Sequence, residues 1–183
     1  MQTGDLDTAA RHLEQEVEKR FPGGSRLRKH TRNVAELSRS VAERLGQAEA
    51  PPEAAYVAGL AHDLFKGWKH ENLRELINRE PVPIDRYSWR FGGALLHAPP
   101  AAHYLRQRLG IRDTDLLCAV YYHTTGRAGA CLLERIVYCV DYLDPSRQAR
   151  PDEPGLETLR EQLFISGRPL IIVYFSLRPT ISR

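Results

Sequence analysis

The sequence predicts an all-α fold. Apolar residues recur every three or four positions along most of the chain, the spacing of one buried helix face. Each such stretch ends at Pro or Gly, the residues that stop helices. Strand-like character is confined to the C-terminus, around "LIIVYF" at 170–175.

Leu6, Leu13, Val17 and Phe21 mark a first helix, stopped by Pro22-Gly23-Gly24. Ser25 is placed to cap a second, whose stripe of Leu27, Val34, Leu37, Val41 and Leu45 ends before Gly46. Pro51-Pro52 opens a third helix, expected over 53–66, and a short helix is expected near 70–79. Residues 80–99 read as loop. A helix near 100–109 ends at Gly110, and Asp113 caps another expected to run to His123. "TTGRAG" then breaks the chain. A helix over about 130–143 stops at Pro145, and a last one is expected at 156–164. Three segments follow: 1–24 as N-terminal helix and turn, 25–150 as the core, and 151–183 as linker and short irregular tail.

Composition excludes several function classes. The chain has 183 residues, 42% hydrophobic, enough for one compact core. Its formal charge of +3 is spread out and gives no nucleic-acid footprint. The N-terminus is polar and acidic rather than a signal peptide. No apolar run approaches the ~20 residues of a membrane helix. Three cysteines, Cys118, Cys131 and Cys139, stand in apolar stretches without a CxxC motif, which fits a reduced, cytoplasmic setting.

Several polar residues occupy positions where apolar ones are expected. His30 falls between Leu27 and Val34 on its helix stripe, and Asp141 follows Val137 by four. His123 follows Val120 by three. His97 follows Leu95-Leu96 at a loop-to-helix junction, and His62 and Asp63 stand together in "GLAHDLFKGW". A lone inward His is ordinarily a core histidine bonded to a carbonyl. Four inward His and two inward Asp need a common explanation, because an unpaired buried carboxylate is strongly destabilising. Metal satisfies them together. His and carboxylate without thiolate suit Fe, Mn, Zn, Co or Ni. Six ligands exceed the complement of one catalytic zinc and fit two ions sharing a carboxylate. Adjacent helical residues diverge by ~100°, so His62 can serve one ion while Asp63 bridges to a second. Such a pair suits phosphoryl hydrolysis, generating hydroxide and clamping developing charge.

Around these ligands, Lys66 lies one helical turn after Asp63, aimed at that carboxylate or at a substrate phosphate. In "HTTGR", Thr124 supplies a hydroxyl, Gly126 a flexible position and Arg127 a bidentate phosphate partner. Arg147 is a further phosphate candidate, His103 a candidate substrate contact, and His12 and His70 read as surface residues.

The order His30, His62-Asp63, Asp141 resembles the HD-domain metal-dependent phosphohydrolases. "AGLAHDLFK", "LLHAPPAAHYLRQRLGI" and "YHTTGRAGACLLERIVYCVDYLDPSR" resemble, more narrowly, the YqeK family of symmetrical diadenosine tetraphosphate hydrolases. The resemblance covers about residues 25–150. It implies an HD-type helical bundle, a di-iron centre with Mn, Co, Ni or Zn as alternatives, and cleavage of diadenosine tetraphosphate to two ADP. It implies His30, His62, Asp63, His97, His123 and Asp141 as ligands, with Asp63 bridging. Its expected partner is a dinucleoside polyphosphate, with no nucleic acid or membrane, and a homodimer as an open alternative. Rival readings are another HD nucleotide phosphohydrolase, acting on nucleoside monophosphates, cyclic nucleotides or guanosine polyphosphates, and a non-catalytic nucleotide-binding helical domain. The chain departs from the family at "HAP" (97–99) in place of HGP, at Asp144 in place of Glu, at Cys139 where a small residue is usual, and in its abbreviated end.

Overall fold

The structure, a computed structural model, describes residues 3–80, 82–84, 89–90, 95–146 and 156–164. Arg147, the linker and the strand-like tail from 165 onward lie outside the described residues. Within them the fold is eight helices: α1 (Thr3–Arg20), α2 (Arg26–Leu45), α3 (Pro52–Ala61), α4 (His70–Arg79), α5 (Ala98–Arg108), α6 (Thr114–Tyr121), α7 (Leu132–Leu143) and α8 (Leu156–Phe164).

α3 is the centre of the bundle. From Ala54 to Ala61 every residue is buried, as expected of a short helix apolar on all sides. α1, α2, α6 and α7 pack around it. α1 contributes Leu6, Leu13 and Val17 to the core, with Phe21 just beyond its end. α2 approaches α3 most closely at Gly59, where a Cβ would stand 2.5 Å from the Cα of Ala35. That contact leaves room for hydrogen only, and it sets how near His30 on α2 comes to the end of α3.

The caps follow the sequence. The Ser25 side chain accepts from the Arg28 amide, and Gly46, at φ +60°, closes α2 by donating to Ala42. Asp113 accepts from the amides of Asp115 and Leu116. Cys131 precedes α7, and the Glu134 carboxylate accepts the Cys131 amide in a capping box.

Two helix ends differ from expectation. α3 stops at Ala61 rather than near residue 66, so His62-Asp63 lies outside the helix. The chain tightens there into three-residue turns: Leu64 N–H donates to Ala61, Lys66 N–H to Asp63 and Trp68 N–H to Phe65, before Gly67 turns at φ +81°. Leu64 and Phe65 are buried in these turns, and a run of apolar residues this short does not distinguish a 3.6-residue period from a tighter one. Likewise α6 ends at Tyr121, and His123 stands in the turn beyond. Gly126, at φ +57°, donates to the Tyr122 carbonyl, so this glycine serves turn geometry rather than mobility.

Candidate metal centre

The six polar residues converge at one place, where α2, the end of α3, the start of α5, the end of α6 and the last turn of α7 meet. All are buried: His62 and Asp63 at 0%, His123 at 1%, His97 at 2%, His30 and Asp141 at 6% exposure. They sort into two triads, His30–His62–Asp141 and Asp63–His97–His123, each with donor atoms within 4.8 Å of one another.

Asp63 stands between the triads with one oxygen toward each. Its Oδ2 lies 3.4 Å from His62 Nε2 and 3.7 Å from His30 Nε2. Its Oδ1 lies 3.1 Å from His97 Nε2 and 3.4 Å from His123 Nε2. Lys66 Nζ also donates to Oδ1, at 3.1 Å. Asp141 Oδ1 lies 2.9 Å from His30 Nε2 and 3.7 Å from His62 Nε2.

The imidazoles are oriented from behind. A carbonyl only accepts, so the Nδ1 of His62, 2.6 Å from the Gly59 carbonyl, carries the proton; so does the Nδ1 of His123, 2.8 Å from the Val120 carbonyl. Both Nε2 lone pairs are thereby turned into the cluster. These are the carbonyl bonds expected of ordinary core histidines, here holding rings whose other nitrogen faces a carboxylate.

His30 is held by a carboxylate instead. Its Nδ1 donates to Asp144 Oδ2 at 2.6 Å. Asp144 is itself fully buried, accepting from Asn33 Nδ2, the Ser146 amide and the Ser146 hydroxyl. Behind it, Arg160 of α8 donates to the carbonyls of Leu143 and Asp144. A carboxylate–histidine pair of this kind fixes the ring and raises its basicity as a ligand.

Electrostatics follow from burial and these partners. Burial alone would lower the His30 pKa, but Asp141, Asp144 and Asp63 outweigh it and raise it from 6.5 to about 9. Burial pulls His62 down and His97 down to about 4, so both are neutral at pH 7 and available as ligands. Burial opposes ionisation of Asp63, yet His62, His123 and His97 hold its carboxyl well below the usual range.

The donor set fits metal ions. His62 Nε2 and Asp63 Oδ2 are buried and have no hydrogen-bond partner; their 3.4 Å contact is not aligned as a bond. Orphaned buried polar atoms cost about 1–3 kcal/mol each, and a cation between them removes that cost. Hard carboxylate and imidazole donors without thiolate suit divalent first-row metals.

The structure separates the other candidates. Lys66 reaches Asp63 as expected. Thr124 Oγ1 lies 3.0 Å from His123 Nε2, at the edge of the second triad. Arg127 is drawn to Glu134, donating through Nε and Nη2 at 2.7 and 2.8 Å. Its first partner is therefore a buried carboxylate on α7 rather than an open phosphate position. His103 is not brought to the cluster; it pairs with Glu80 at 3.3 Å. His12 bonds the Tyr104 hydroxyl at 2.7 Å instead of standing free on the surface, while His70 is exposed.

Two carboxylates with positioning roles, Asp144 and Glu134, do not stand out in the sequence as site residues. The capping-box spacing from Cys131 to Glu134 is a readable signal for the second. For Asp144 the hints are a carboxylate one turn past Asp141 and its standing where the resembled family has Glu.

The HD domain family profile matches residues 27–146. The chain is 38% identical over 133 residues to a symmetrical bis(5'-nucleosyl)-tetraphosphatase of Halalkalibacterium halodurans, and 34% identical over 132 residues to that of Bacillus subtilis. These alignments cover 73% and 72% of this chain, and the chain spans 66% of each relative's length. Among solved structures, it resembles a predicted HD superfamily hydrolase involved in NAD metabolism from Clostridium acetobutylicum. There the TM-score is 0.75 at 28% identity, covering 93% of this chain and 84% of that one.

Proposed function

The chain belongs to the HD-domain family, and on that premise we propose that it is a metal-dependent phosphohydrolase that cleaves diadenosine tetraphosphate symmetrically to two ADP. The observation that carries the reading is Asp63. Its two oxygens are divided between two buried histidine-rich triads, an arrangement suited to one carboxylate shared by two cations. The substrate comes from the two curated relatives.

In this reading His30, His62 and Asp141 hold one ion and His97 and His123 the other, with Asp63 common to both. Iron is the first candidate metal, and Mn, Co, Ni or Zn are alternatives. Two such ions supply an activated hydroxide and stabilise charge on the phosphoryl oxygens. The chain's own contribution is placement. The Gly59 and Val120 carbonyls and the Asp144 carboxylate keep three imidazoles aimed at the cluster. Lys66, partly exposed and bonded to Asp63 Oδ1, steadies that carboxylate and presents a cation at the mouth of the cleft. Thr124, its Oγ1 3.0 Å from His123 Nε2, stands beside the second triad as a hydroxyl for a phosphate oxygen, and Gly126 closes the turn that follows. Arg127, paired with Glu134 and with its guanidinium carbon 4.9 Å from the Tyr122 ring centre, is the cation this reading assigns to a substrate phosphate in the same turn. The leaving group is ADP, whose phosphate departs without a strong general acid. A cytoplasmic setting is part of this proposal and rests on the three free cysteines.

The test is direct. Protein loaded with iron or manganese is given diadenosine tetraphosphate, and the products are separated by ion exchange. ADP alone is expected. AMP with ATP would indicate asymmetric chemistry, and no turnover with any metal would end the proposal.

A further inference from the structure

The cleft over the metal centre is walled on one side by α2. Arg26, His30, Asp63 and Lys66 all line it, and Arg26 stands one turn before His30 on the same helix face. A second hollow on the same helix is lined by Lys29, Arg32 and Asn33 among others. The first two turns of α2 carry Arg26, Arg28, Lys29 and Arg32 with no acidic residue between them. In a chain of net charge +3, that is a local concentration of cations.

These four cations are not equivalent. Glu18 of α1 takes both Arg28, at 2.7 Å, and Arg32, at 2.5 Å. The Arg26 and Lys29 side chains are exposed and form no ion pair among the described residues. An exposed basic run is most often a solvated helix face. Here the two cations left uncompensated flank a ligand of the metal centre, and one lines the same cleft. Asn33 ties the patch to that centre, donating to Asp144, which in turn positions His30.

Building on the function proposed above, we propose that Arg26, with Lys29 beside it, binds the phosphates that extend beyond the metal ions. The N-terminal half of α2 is thus the polyphosphate-binding track and favours long phosphate chains. The ligand chemistry is a linear oligophosphate, free or esterified. Arg26 forms charge-assisted bonds to phosphate oxygens, and Lys29 acts as a second point charge.

The test uses the full, metal-loaded chain and inorganic tripolyphosphate as probe, so that its outcome does not depend on turnover. Calorimetry compares wild type with Arg26→Ala, Lys29→Ala and the double variant, with metal content measured alongside. The double variant is expected to bind tripolyphosphate about tenfold more weakly, with metal content unchanged and partial recovery in Arg26→Lys. Affinity should also fall with added salt less steeply than in wild type. If diadenosine tetraphosphate is turned over, the loss falls on KM rather than kcat. Unchanged tripolyphosphate affinity in the double variant overturns the track while leaving the proposed reaction standing. Wild type that binds tripolyphosphate through Arg26 but does not cleave diadenosine tetraphosphate overturns the reaction while leaving the track.

Discussion

Asp144→Asn isolates what holds His30 in place. In the protein the Asp144 carboxylate is fully buried and accepts the His30 Nδ1 proton at 2.6 Å. The substitution preserves shape and removes the charge. Two consequences follow. The ring loses its charged orienting partner, and its Nε2 becomes a weaker base. Removing such a carboxylate behind a metal-bound histidine costs about 10–100-fold in affinity, or ~1.4–2.7 kcal/mol. The loss is confined to one ion. Asp144 touches His30 of the first triad, whereas His97 and His123 are oriented independently of it. Titration against a chromogenic chelator should therefore show two metal equivalents of similar affinity in wild type. In the variant it should show one retained and one weakened. Circular dichroism verifies that α7 and α8 remain folded, because the Arg160 bonds go to backbone carbonyls that the substitution leaves in place. Equal weakening of both equivalents, or of neither, would refute the assignment of Asp144 to one triad.

Other substitutions probe different links. Asp63→Ala should lose metal and activity together; full activity in that variant would remove the shared-carboxylate assignment. Gly59→Ala forces a methyl against the Ala35 backbone and should destabilise by about 1–3 kcal/mol, read as a lowered Tm. Arg127→Ala leaves the buried Glu134 carboxylate without its cation. Because Arg127 is itself 40% exposed, the cost is discounted to about 1–2 kcal/mol. Adding Glu134→Gln should restore stability but not activity; recovery of both would make Arg127 purely structural. For the metal-free protein, stability should fall at both ends of the pH scale. The His30 contribution is complete below 6.5 and is lost as pH rises through about 9. Buried His97 behaves oppositely, its contribution lost as pH falls from 6.5 toward about 4. Melting curves of chelated protein across pH check this, and a single acid-side loss would contradict it.

Much of the fold is legible in the residues because the signals are local. Leu13, Val17, Val34 and Val41 declare buried helix faces by spacing alone, and Ser25, Gly46 and Asp113 mark helix ends by their own chemistry. Polar residues on those faces stand out against the same pattern, which is why spacing alone singles out His30 and Asp141. The ends of α3 and α6 are not legible in this way. Leu64 and Phe65 are buried in tighter turns, and two adjacent apolar residues carry no period that would separate those turns from a continued α-helix.

The sequence by itself therefore determined an all-helical class and six residues whose burial demanded a shared partner. Both are properties of residue type and spacing along one chain. Only the tertiary structure decided how the six divide into two triads, which oxygen of Asp63 faces each, that Asp144 stands behind His30, and that Glu134 claims Arg127. The physical reason is distance. His30 and Asp144 are 114 residues apart, and a 2.6 Å bond between them exists only because α2 packs directly against α7, with both also packed on the buried α3.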